Sequence, residues 1–95
     1  MSPEDFMKTL LMLSNENILY IFSSLQERYT VPFVAENLVD ELDFLKEVQK
    51  LLLAEVIQRQ GKLSRYILSI SNELYLERTI NDLEKTKNRL LQNNT

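Results

Sequence analysis

A chain of 95 residues with a single glycine has one position where its backbone can turn against the chirality of L-residues at little cost. That position is Gly61, followed by Lys62. The residues on either side, 54–60 and 63–70, are rich in Val, Ile and Tyr. In the second stretch Tyr66, Leu68 and Ile70 alternate with Arg65 and Ser69, a period of two. A glycine opening a two-residue loop is what a type II′ hairpin turn needs. The pattern therefore predicts a β-hairpin over about 55–70. The alternative, one helix over 41–70, places Gly61 inside a helix at a cost of about 1 kcal/mol.

Other scarcities exclude chemistry. With no Cys there is no disulfide framework and no thiolate ligand or nucleophile. With no His there is no imidazole ligand and no Ser-His-Asp triad. One glycine leaves no phosphate-binding or dinucleotide-binding loop. The carboxylates Glu16, Glu36 and Glu55 show no pairing suited to acid–base work. The expectation is a non-enzyme with no cofactor and no metal. At this length one domain is expected, and 44% apolar with 26% charged residues suits a folded chain. The longest apolar run, residues 18–22, is too short to span a bilayer. Glu4 and Asp5 near the start do not suit a secretory leader. A cytoplasmic location without a membrane partner is expected.

Helical signals fill the rest. Ser2, Pro3 and Asp5 open a helix over about 3–13, and Ser14 caps a second that ends at Gln26, Glu27 and Arg28. Thr30 and Pro32 start a short third helix through Leu38, and Asp40 caps a fourth over about 41–53. Ser71 or Asn72 caps the last, over about 72–92. There Leu76, Ile80, Leu83, Lys87 and Leu90 recur at four and three, a two-heptad seam. The seam suits pairing of subunits, with Phe6 and Leu10 joining it, or packing onto its own domain.

The predicted order is α-α-α-α-β-β-α, mainly α with one hairpin. The segments LSNENILYIFSSLQER (13–28), VPFVAENL (31–38) and LKEVQKLLLAEVIQRQGKLSRYILS (45–69) carry a likeness that covers nearly the whole chain. The chain resembles a winged helix-turn-helix domain, most closely the ArsR-type transcriptional regulators. The resemblance implies a helix-turn-helix over about 31–53, a wing over about 55–70 and a C-terminal dimerisation helix. It further implies a homodimer that binds double-stranded DNA and regulates transcription. Metal sensing does not carry over, because Cys and His are absent.

Two charge clusters then become candidates. Arg59, Lys62 and Arg65, with no acid across 59–65, would touch phosphate or the minor groove from the wing. Asp43, Phe44, Lys46, Glu47 and Lys50 would face the major groove from the recognition helix. Residues 40–50 carry four acids against two lysines, a net of −2. That acidity suits a second reading: a winged-helix protein-interaction module, or subunit of a larger complex, that docks a protein through its fourth helix.

Overall fold

A computed structural model describes residues 1–29, 35–73 and 75–93, the side chains of 35, 36, 72, 73 and 93 excepted. The first two helices follow the sequence signals closely. Helix α1 spans Pro3–Met12, and its Ser2 Oγ accepts the Asp5 amide at 3.2 Å. Helix α2 spans Asn15–Arg28, and Ser14 Oγ accepts the Asn17 amide at 3.4 Å. Each cap satisfies one amide that a helix start leaves without an intrahelical partner.

Helix α3 then runs unbroken over Ala35–Gln58. The turn expected at Val39 and Asp40, between a third and a fourth helix, does not occur. Leu38, Leu42, Leu45, Val48 and Leu52 are all buried, so one stripe crosses the supposed break at spacings of four, three, three and four. Asp40 lies exposed on the opposite side. The expected start of the third helix, at Thr30 and Pro32, lies outside the described residues.

The hairpin is also corrected. Helix α4 spans Lys62–Leu68 and continues into a π turn over Ser69–Glu73. No strand occurs among the described residues, so the winged-helix fold and the likeness to ArsR-type regulators fall. The period explains the error. Ile67, Ile70 and Ser71 are buried, at helical spacings of three and four, while Leu63 and Leu68 are both exposed. The apparent alternation of Tyr66, Leu68 and Ile70 was a chance overlay on that stripe. Low helix propensity of β-branched residues, a few tenths of a kcal/mol each, yields to packing.

Gly61 does adopt a left-handed backbone, φ 108° and ψ −155°, in a region that essentially only glycine occupies. It turns helix into helix instead of strand into strand. Helix α5 spans Leu76–Asn93, starting later than the Ser71 or Asn72 cap expected for it. Ser71 is instead buried in the π turn, its Oγ donating to the Leu68 carbonyl at 3.3 Å and its carbonyl accepting from Gln49 Nε2 at 3.0 Å.

Helices α1, α4 and α5 all pack on α3, and α2 packs on α5. The core they share includes Leu10, Ile18, Phe22, Leu45, Leu52 and Leu83. The result is an all-α rod of 48 × 23 × 23 Å.

One polar latch ties the chain's halves. Tyr66 Oη donates to the Leu13 carbonyl at 2.6 Å, joining α4 to the turn between α1 and α2. Burial pushes the Tyr66 phenol above its ordinary value, and Tyr75 adds to the shift. Such a group favours its protonated form in the fold. Its contribution is whole below pH about 10 and fades as pH rises through the folded-state value. Tyr66→Phe is expected to cost about 1–2 kcal/mol at neutral pH by urea unfolding, because it strands the Leu13 carbonyl. The gap between wild type and variant should narrow above pH about 10. A gap that stayed constant or widened there would contradict the latch.

Candidate docking surfaces

The residues expected on a recognition helix are engaged by the chain itself. Phe44 is half-buried, and its ring meets Phe6 edge-on, centroids 5.3 Å apart. Lys46 Nζ lies 2.6 Å from Glu84 Oε1 on α5, and that carboxylate raises the lysine above its ordinary pKa. Glu47 and Lys50 pair with each other at 3.9 Å along the helix. Asp43 is exposed, and its charge adds to the raising of Lys46.

The seam residues are likewise inside. Leu76, Ile80, Leu83 and Leu90 are buried within a single chain, as is Leu10 on α1. Lys87 and Phe6 are half-buried. Of the two readings the seam allows, the structure displays packing onto its own domain.

The three cations expected on a wing do share one place, the elbow between α3 and α4. Arg59 Nε pairs with Glu55 one turn back, and the Ser64 hydroxyl donates to the Arg59 carbonyl. Lys62 and Arg65 are exposed, with no ion-pair partner among the described residues. Beside them stand two aliphatics the sequence reading passed over, Ile57 at 81% exposure and Leu63 at 43%. A signal for Ile57 was available. It falls outside the leucine stripe of α3 once that helix is continued past Leu53.

The depressions among the described residues include three more features of the surface. Two flank Arg28, one of about 510 Å³ beside Tyr29, Asn37 and Asp40, the other of about 400 Å³ beside Met1, Phe6 and Phe44. Arg28 closes on Glu41 at 3.5 Å and lies over the Tyr29 ring, 5.5 Å from its centroid. These contacts account for that arginine structurally. The third is a groove of about 180 Å³ between α2 and α5. Leu19, Phe22 and Tyr75 supply its apolar walls, and Ser23, Gln26, Arg78 and Thr79 its polar ones. Below it Gln26 Nε2 donates to Asp82 Oδ2 at 3.1 Å, bridging the two helices. Arg78 is exposed and has no ion-pair partner among the described residues. Tyr20, next to Leu19, is 74% exposed.

Among the described residues no group of three or more acids could hold a metal ion, and no helix is long and apolar enough to cross a membrane. No family model, curated protein or solved structure matches this chain.

Proposed function

We propose that this chain is a non-catalytic protein-interaction module that seats an apolar side chain of a partner in the groove between α2 and α5. The lining of that groove carries the reading. Leu19, Phe22 and Tyr75 offer an apolar slot, and Arg78 in its lining offers an exposed cation. A surface helix with a bulky apolar anchor and a carboxylate one turn away fits both features. Tyr20 follows Leu19 on α2 and is exposed on the flank of that helix, and exposed aromatics are favoured at interfaces.

The acidic stretch of α3, expected from the sequence as a fourth helix, is a weaker partner surface, because Glu41 and Glu47 already face Arg28 and Lys50. The DNA reading keeps only the three cations of the elbow.

Site-specific photo-crosslinking in cells that make the protein tests the groove. A benzophenone side chain in place of Tyr20 should give a discrete protein adduct, and one in place of Asp43 should not. Leu19→Glu and Arg78→Glu should each abolish the adduct at position 20. An adduct that survives both changes, or none from position 20, would remove the groove as the docking face.

A further inference from the structure

We propose that the elbow between α3 and α4 docks this protein, end-on, on an anionic lipid surface. The sequence excludes a spanning segment and led to the expectation of no membrane partner. A peripheral contact needs no span. It needs exposed apolar side chains among cations at a protruding point.

The elbow has both. Ile57 and Leu63 stand on either side of the Gly61 turn, and Ile57 contributes nothing to the core. Arg59, Lys62 and Arg65 give residues 59–65 a charge of +3. Glu55, the acid nearest in sequence, is held by Arg59. Lys62 and Arg65 are left to face outward.

Charge and shape then choose the occupant. A second copy of the elbow is disfavoured, because two would bring together Lys62 and Arg65 of each, four cations beyond the paired Arg59. Ile57, Lys62, Leu63 and Arg65 are all exposed around one turn, an arrangement that suits contact with a flat anionic surface. The whole chain is −3, so subtracting the elbow's +3 leaves −6 on the remainder. That remainder repels an anionic surface when the rod lies flat. The rod is 48 Å long, and screening at physiological salt acts over about 8 Å. At 24 residues α3 is about 36 Å long, too long to lie across the 23 Å widths, so the elbow at its C-terminal end sits toward one end of the rod and can touch while most of the acidic body lies beyond that reach.

Vesicle flotation tests this directly. The intact protein is mixed with phosphatidylcholine vesicles, with and without about 30% phosphatidylserine, at low salt and at about 0.3 M. Binding is expected only to the anionic vesicles, and weaker at the higher salt. Lys62→Ala and Arg65→Ala should each reduce partitioning about fivefold. Ile57→Asp should reduce it further still, and circular dichroism should show all three variants folded, because these side chains are exposed. Leu19→Glu and Arg78→Glu in the α2–α5 groove should leave vesicle binding unchanged, which separates this proposal from the preceding one. Absence of binding, equal binding to neutral vesicles, or indifference to Lys62→Ala and Arg65→Ala would overturn it. Duplex DNA serves as the parallel probe. Salt-sensitive DNA binding lost in those two variants, with no vesicle binding, would assign the cations to nucleic-acid phosphate instead.

Discussion

Leu83→Glu is expected to unfold this protein, not to divide a pair of subunits. Leu83 is 1% exposed and belongs to the core. Truncating a buried leucine costs about 2–5 kcal/mol through lost transfer energy and the cavity left behind. A carboxylate put in its place adds a further desolvation penalty of several kcal/mol, more than an ion pair with the half-buried Lys87 one turn on would repay. A small domain holds only about 5–15 kcal/mol in total. Thermal melting by far-ultraviolet circular dichroism should therefore show no cooperative transition. Leu91→Glu, at a position 48% exposed on the same helix, is the control and should melt like wild type. A well-folded Leu83→Glu protein of half the wild-type mass by light scattering would restore the seam to an intersubunit role.

The second large effect is expected from Glu41→Pro. Proline is welcome at the first position of a helix and was allowed there by a helix-turn-helix reading. Inside α3 it removes a backbone donor and presses its ring on the carbonyl one turn earlier. That carbonyl belongs to Asn37 and also accepts from Tyr29 Oη at 3.4 Å. The variant should lose about 3 kcal/mol or more relative to Glu41→Ala in urea unfolding. Comparison with the alanine variant cancels the Arg28 ion pair, which is half open to solvent and contributes little. Equal stability of the two variants would mean that the helix breaks near Asp40 after all.

These two substitutions lie where the sequence was ambiguous. Caps written in local chemistry were legible: Ser2 with Pro3, and Ser14, place the first two helices well. The residues of the last heptad seam were legible as buried, but not what buries them. A stripe of apolar residues at three and four looks the same whether its partner is another chain or α3. Asp40 misled because an acid suits a helix start and an exposed helix interior alike. Around Gly61 the sequence correctly demanded a positive φ, yet that demand does not distinguish a strand turn from a helix turn. The deciding pattern was Ile67, Ile70 and Ser71, and Leu68 disguised it. The candidate sites fared by the same rule. Arg59, Lys62 and Arg65 came out together because they are neighbours in sequence. The α2–α5 groove joins Leu19 to Arg78 and could be seen only after folding.

The 48 × 23 × 23 Å rod bears on how this chain behaves in a column. An axial ratio of about two raises the frictional coefficient above that of a sphere of equal mass. The monomer should thus elute ahead of compact standards of 11.2 kDa, towards the volume of a larger globular protein. An early elution volume is a property of its outline, and only a shape-independent mass distinguishes one rod from two.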